Sequence, residues 1–207
     1  MSNIILIQHC HSEHHLNNMS GGWTDTPLTE AGKGQAKKIG EKLKEFVEKN
    51  ACVLYSSDLL RAFQTADIVG AELKLDVIQE KGLREINSGV AAGKTKDLTR
   101  ANRNPRAKSE FDLDYREFQS GETWREFYSR VSNCMDRICE LENEKSILIV
   151  SHGGTLGYIL AWWLKFEPEM IVNAYFSSSA GGVTVLSQNS FQQNVVNKFN
   201  DTSHLEY

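Results

Sequence analysis

Three short polar segments each follow a run of apolar residues, and together they hold histidine, arginine and serine side chains. The first, residues 8–15, is Gln-His-Cys-His-Ser-Glu-His-His. The second, residues 56–61, carries two serines, an aspartate and Arg61, and the third is Ser-His-Gly-Gly at 151–154. Imidazoles and a guanidinium neutralise anions, hydroxyls donate to them, and paired glycines leave backbone N–H groups open. These residue types predict a phosphate site.

The apolar runs before these segments predict the elements that position them. Residues 4–7, 52–55 and 147–150 are continuously apolar, which is typical of parallel strands buried on both faces. Ligands of open α/β sheets bind beyond the carboxyl ends of the strands. We therefore expect the three polar segments to converge on one site.

The remaining periodicity predicts the rest of an α/β fold. Apolar residues recur at helical spacing over 36–47, 59–70 and 124–141, and residues 156–164 form an apolar helix. Further strands are expected at 75–78, 182–186 and 191–199. Alternating strands and helices favour a three-layer sandwich with a mainly parallel central sheet flanked by helices. We expect a single domain over 1–207, with an irregular insertion at about 88–120.

Composition excludes several classes of protein. The chain has 207 residues, 40% hydrophobic, with a net charge of −4, which disfavours nucleic acid or an anionic membrane as a partner. The longest apolar stretch, 156–164, is too short to span a bilayer. No signal peptide is recognisable, and the four cysteines form no Cys-x-x-Cys pair. A cytoplasmic protein with reduced thiols is expected.

Six motifs in order resemble the histidine phosphatase superfamily, also called phosphoglycerate mutase-like. They cover residues 4 to about 160 and comprise Gln-His-Cys-His-Ser at 8–12, Gly-Trp-Thr-Asp-Thr-Pro-Leu-Thr-Glu-Ala-Gly at 22–32, Ser-Ser-Asp-Leu-Leu-Arg at 56–61, Leu-Arg-Glu-Ile-Asn-Ser-Gly at 83–89, Gly-Glu-Thr at 121–123 and Val-Ser-His-Gly-Gly at 150–154. The resemblance implies the phosphoglycerate mutase-like fold.

The resemblance also implies roles for particular residues. His9 would attack phosphorus and form a phosphohistidine, and Glu85 would protonate the leaving oxygen. Arg61 and His152 would complete the catalytic set by neutralising the phosphoryl oxygens. The substrate-binding residues would be Gln8, Ser12, His15, Gly22 and Gly153. The activity implied is that of a metal-independent histidine acid-type phosphatase on a small phosphorylated metabolite, without an organic cofactor.

Three residues depart from the family pattern. Gln8 stands where the family has a phosphate-binding arginine, so one charge-assisted contact is lost. Cys10 replaces a glycine and His15 an asparagine. We hypothesise that His11, His14 or His15 restores positive charge when protonated, which would favour mildly acidic pH.

Other functions remain open. The run from His9 to His14 also resembles the zinc motif of metallo-β-lactamase-like hydrolases, although no further histidine lies between His15 and His152. Phosphoglycerate mutases carry a long basic insertion where this chain has only residues 89–121, which favours a phosphatase over a mutase. A phospho-ligand-binding protein without turnover is the alternative from another class. Either a monomer or a homodimer is compatible with the sequence.

Overall fold

The computed structural model describes residues 3–106, 108 and 110–205, and these form a six-stranded mixed sheet between two layers of helices. The strand order is β3-β2-β4-β1-β5-β6. The first four strands in this order are parallel, whereas β5 and β6 run antiparallel to their neighbours. The strands are β1 (Ile4–Gln8), β2 (Cys52–Ser56), β3 (Val77–Gln79), β4 (Ser146–Ser151), β5 (Val183–Gln188) and β6 (Asn194–Asp201).

Successive side chains of β1 enter different cores because strand residues alternate between the two faces. Ile5 and Ile7 pack with the buried faces of α2 and α3, and Ile4 and Leu6 pack with α5 and α6. The helices are α1 (Glu13–Leu16), α2 (Glu30–Lys49), α3 (Leu60–Leu73), α4 (Lys96–Ala101), α5 (Trp124–Leu141) and α6 (Gly153–Trp163). Among the described residues, no helix is both long and apolar enough to cross a bilayer.

The three-layer, mainly parallel architecture expected from the sequence is confirmed. The expected bounds of three elements are wrong. The third strand begins at Val77 rather than Leu75, because the Leu75 amide donates to the Gly70 carbonyl and closes the end of α3. The last strand begins at Asn194 after a turn over 189–193, and α6 begins at Gly153 rather than Leu156.

The described residues between β3 and α5 contain one short α-helix, α4, and two 3-10 turns. This segment is bound to the loop after α1 by backbone and side-chain hydrogen bonds. The Ser20 amide donates to the Lys94 carbonyl at 2.9 Å, and the Gly93 amide donates to Thr24 Oγ1 at 3.0 Å. The loop and the segment therefore form one wall beside the carboxyl end of the sheet.

Thr123 caps the N-terminus of α5, and its removal should destabilise the fold. Its hydroxyl accepts from the Glu126 amide at 3.1 Å, and the Glu126 carboxylate accepts from the Thr123 amide at 2.8 Å. We expect Thr123→Ala to lower the free energy of unfolding by about 1 kcal/mol. Thr123→Ser keeps the hydroxyl and should remain within about 0.5 kcal/mol of wild type in urea unfolding. Equal losses in the two variants would contradict the capping role.

Candidate active site

The carboxyl ends of β1, β2 and β4 bring three of the expected catalytic side chains together. The His9 amide donates to the Ser151 carbonyl at 2.8 Å, which places the residue after β1 beside the end of β4. The rings of His9 and His152 lie 5.2 Å apart between centroids, and Arg61 Nε lies 3.2 Å from His9 Nε2. All three side chains are buried. The predicted convergence of the three polar segments is thus observed.

Hydrogen bonding fixes the tautomer of His9. Its Nδ1 lies 2.9 Å from the Cys10 carbonyl oxygen, which can only accept, so Nδ1 carries the proton. Nε2 then has a free lone pair, toward which Arg61 Nε–H points. Burial and the Arg61 charge hold the pKa of His9 well below its usual value. His9 is therefore a neutral imidazole with Nε2 available as a nucleophile.

Arg61 is held by the loop that precedes α2. Its two terminal nitrogens donate to the Thr24 carbonyl at 2.6 Å and the Gly22 carbonyl at 2.9 Å. Burial lowers the pKa of Arg61 to about 10, so the guanidinium remains charged at neutral pH. Gly22 has a φ of +60°, and a Cβ there would collide with Ser88. Gly22 thus contributes through its carbonyl, which orients Arg61.

His152 completes the histidine pair at the end of β4. Its Nε2 lies 2.8 Å from Ser57 Oγ, while its Nδ1 is buried and has no partner among the described residues. Burial, followed by the charge of Arg61, lowers the pKa of His152. His152 is therefore a neutral imidazole held by Ser57 beside His9.

Glu85 is anchored over the N-terminus of α6. One carboxylate oxygen accepts from the Ile86 amide and the other from the Gly154 amide, each at 2.9 Å. A Cβ at residue 154 would collide with this carboxylate, so glycine is required for the close approach. The second glycine of the Gly-Gly pair therefore donates its amide to Glu85.

Arg130 on α5 was missed by the sequence analysis. It donates to the carbonyls of Gly82, Arg84 and Glu85 at 2.9–3.1 Å and pairs with both oxygens of Glu122 at 2.6 and 2.8 Å. It therefore fixes the backbone that carries Glu85. The signal was present, since an arginine between Phe127 and Val131 lies beside the apolar stripe of α5 and must find polar partners.

Gln8 occupies the position of the expected phosphate-binding arginine. Its side chain is buried, its Oε1 accepts from Ser178 Oγ, and it lies beside Gly153 at the start of α6. Ser178 belongs to a run of three serines with no motif around it, so this contact could not be predicted from the sequence. With Oε1 used by Ser178, the Gln8 amide NH₂ is the group that can donate to a ligand.

The remaining histidines form a cluster beside His9. Ser12 Oγ lies 2.8 Å from His14 Nδ1, the rings of His14 and His15 lie 4.0 Å apart, and His15 lies 5.9 Å from His9. His11 instead contacts Thr29 Oγ1 through Nδ1 at 3.0 Å. Ser12 is fully buried and is used to orient His14.

The pKa values of this cluster oppose the charge hypothesis for the ligand-free protein. Burial, followed by the neighbouring His15, lowers the pKa of His14 to about 3. Burial and His11 also lower the pKa of His15. His14 is therefore neutral at mildly acidic pH before substrate binds, contrary to the expectation that it then carries positive charge. Among the described residues, no group of three or more His, Cys, Asp or Glu side chains is arranged to hold a metal ion.

Many known proteins are similar to this chain, among them two curated relatives and one solved structure. It is 29% identical over 211 residues to a broad-specificity phosphatase of Saccharomyces cerevisiae, covering 98% of this chain and 86% of the relative. It is 30% identical over 157 residues to phosphoglycerate mutase-like protein 4 of Arabidopsis thaliana, covering 74% and 67%. A phosphoserine phosphatase of Entamoeba histolytica, crystallised with 3-phosphoglyceric acid, matches with a TM-score of 0.76 and 25% identity, covering 100% of both chains.

The family model for the histidine phosphatase superfamily (branch 1) matches residues 4–202, which include every motif identified from the sequence. The match agrees with the architecture of the sheet and with the histidine pair at its carboxyl edge. Full-length agreement in both sequence and fold establishes the relationship. The chain belongs to the histidine phosphatase superfamily, branch 1.

Proposed function

We propose that this protein hydrolyses phosphomonoesters of small metabolites through a phosphohistidine formed on His9 Nε2. The observation that carries the proposal is the locked tautomer of His9, whose Nδ1–H bonds to the Cys10 carbonyl and whose Nε2 faces Arg61. A buried, neutral imidazole beside a fixed guanidinium has both the nucleophile and the charge that phosphoryl transfer requires.

In the first step, His9 Nε2 attacks phosphorus, the Nε2–P bond forms, and the bond from phosphorus to the ester oxygen breaks. Protonated Glu85 gives its proton to that oxygen, so the alcohol leaves neutral. The phosphorylated imidazole bears positive charge, which the Cys10 carbonyl stabilises through Nδ1–H. Arg61 and His152 contact the equatorial oxygens, where negative charge is spread in the transition state.

In the second step, a water molecule attacks phosphorus from the side vacated by the alcohol. Glu85 takes a proton from this water, the P–Nε2 bond breaks, and orthophosphate leaves. Glu85 is thereby protonated for the next cycle. Its two backbone hydrogen bonds, to Ile86 and Gly154, hold the carboxylate at one position through both steps.

Gln8, Ser12, His15, Gly22 and Gly153 take positioning or binding roles in this proposal. Gln8 offers its amide NH₂ to the phosphate and Gly153 opens α6 beside it. Gly22 acts through Arg61, and Ser12 and His15 act within the histidine cluster. Hydrolysis is favoured over mutase activity because the segment 89–121 is shorter than the basic insertion of phosphoglycerate mutases. The proposed mechanism uses no metal and suits a cytoplasmic protein whose four cysteines are free.

Replacement of the nucleophile should abolish turnover. We expect His9→Ala to lose all measurable hydrolysis of p-nitrophenyl phosphate in EDTA, whereas His204→Ala, which removes a histidine outside the site, stays within twofold of wild type. Wild type quenched during turnover should carry an acid-labile phosphoryl group on His9. Residual turnover in His9→Ala, or loss of wild-type activity in EDTA, would refute the mechanism.

Replacement of the proton donor should affect poor leaving groups most. We expect Glu85→Gln to lower the rate of phosphoenzyme formation from an alkyl phosphate by about 10²- to 10⁴-fold. Formation from p-nitrophenyl phosphate should change much less, because nitrophenolate leaves without a proton, and phosphoenzyme should then accumulate. Rapid-quench measurements distinguish the two steps. Equal losses with both substrates would contradict the acid role of Glu85.

The pH profile should not depend on His14. Because the pKa of His14 lies at about 3, its ring is neutral in the free enzyme between pH 5 and 8. Since kcat/KM reports groups of the free enzyme, we expect His14→Gln to keep the shape of the wild-type profile across that range. A limb between pH 5 and 8 that vanishes in the variant would show that His14 does titrate there.

Stability provides an independent check on the same pKa shift. The unfolded chain binds a proton at the ordinary histidine pKa of about 6.5, whereas folded His14 does not. The free energy of unfolding should therefore fall as pH drops below about 6.5, and less steeply in His14→Gln. If urea unfolding gave the same change in the free energy of unfolding between pH 6.5 and 5 for wild type and His14→Gln, the lowered pKa of His14 would be contradicted.

A further inference from the structure

A cavity of about 360 Å³ is lined in part by Gly154, whose amide donates to Glu85. Its size lies within the range of small-molecule pockets. The lining comprises Phe111, Trp124, Phe127, Gly154, Gly157, Tyr158, Ala161, Ile171, Val172, Asn173, Ala174, Tyr175 and Phe176. The proposed phosphoryl-transfer mechanism uses none of these side chains. Of the lining residues, it uses only the backbone amide of Gly154.

Small residues of α6 leave room for the cavity, and Tyr158 of the same helix also lines it. Gly154, Gly157 and Ala161 follow helical spacing and line the cavity. The opposite walls are large, since Phe111 and Trp124 contact each other with ring centroids 5.4 Å apart, and the segment 171–176 forms the third side. The cavity therefore lies between the small residues of α6 and a set of aromatic rings.

The cavity adjoins Glu85 through Gly154. Gly154 both lines it and donates its amide to Glu85, the residue proposed to protonate the leaving oxygen. Burial raises the pKa of Tyr158 and of Tyr175, and the charge of Glu85 adds to the rise in both. The alcohol part of a bound ester must extend from the oxygen that Glu85 protonates, and the cavity lies beside that position.

The lining is chemically selective. Its residues, all within the described ranges, include six aromatic side chains and no charged one. An apolar or aromatic alcohol would gain from burial against these rings. A carboxylate placed there would lose hydration without gaining a cationic partner.

We propose that this cavity binds the alcohol part of the substrate and selects uncharged aromatic or apolar phosphomonoesters over carboxylate-bearing ones. The proposal rests on the proposed function, because it assigns Glu85 to the leaving group. It separates this chain from the similar phosphoserine phosphatase, whose crystallised ligand, 3-phosphoglyceric acid, carries a carboxylate. Phe111, Trp124 and Tyr175 are the specificity-determining residues.

Esters with leaving groups of similar basicity test the selectivity. We expect kcat/KM for 2-phenylethyl phosphate to exceed that for ethyl phosphate by about 10- to 100-fold, since the added phenyl ring is buried. 3-Phosphoglycerate should be no better than ethyl phosphate. Equal values for the phenylethyl and ethyl esters, or a preference for 3-phosphoglycerate, would overturn the proposal.

Variants at exposed aromatic residues test whether the preference for the phenylethyl ester arises in the cavity. Tyr175 at the cavity is 74% exposed, so Tyr175→Ala should fold normally, and Phe191 in the β5–β6 turn is 83% exposed and provides a matched control. We expect Tyr175→Ala and Phe111→Ala each to reduce the phenylethyl-to-ethyl ratio at least threefold, through KM more than kcat. Phe191→Ala should leave the ratio unchanged. An unchanged ratio in both cavity variants would also overturn the proposal.

Binding of non-hydrolysable phosphonates distinguishes failure of this proposal from failure of the proposed function. Calorimetry would compare 2-phenylethylphosphonate with ethylphosphonate on wild type and Tyr175→Ala. Tighter binding of the phenylethyl compound that depends on Tyr175, without turnover of any ester, would support the cavity and refute the hydrolase. Turnover of esters combined with equal phosphonate affinities would refute the cavity and support the hydrolase.

Discussion

The buried contact between Arg61 and His9 is the interaction on which the rest of the site depends. A guanidinium taken out of water must have its hydrogens accepted, and here the Gly22 carbonyl, the Thr24 carbonyl and His9 Nε2 accept them. The loop before α2 is therefore folded around Arg61, and the charge in turn keeps His9 neutral. Binding of phosphate would replace the imidazole as the acceptor of Arg61 Nε–H and release Nε2 for attack.

Backbone carbonyls of two turns fix the positions of Arg61 and of the segment that carries Glu85. The 22–24 turn holds Arg61, and Arg130 holds the backbone of residues 82–85. Glu85 gains its position from this second turn and from the bare start of α6. Gly154, whose amide binds Glu85, also lines the aromatic cavity, so one residue at the start of α6 contacts both.

The sequence was sufficient for the fold and for the meeting of the three polar segments because the signals were local. Apolar runs marked β1, β2 and β4, and the polar residues after them had to meet where parallel strands end. It failed where the determining contact is distant, as for Arg130 against the 82–85 backbone and Ser178 against Gln8. The low pKa of His14 was also not visible in the sequence, because its burial against His15 is a tertiary property. The cavity also could not be foreseen, since it joins α5, α6 and the segments at 111 and 171–176.

The central claim is that His9 presents an unprotonated Nε2 as the nucleophile. Two-bond ¹H–¹⁵N NMR of the ligand-free protein at pH 7 reports the tautomer of each histidine, with His9→Gln used to assign the signal. The structure predicts a neutral His9 ring with the proton on Nδ1 and a pyridine-type Nε2, as its bond to the Cys10 carbonyl requires. An imidazolium, or a neutral ring protonated at Nε2, would contradict the mechanism.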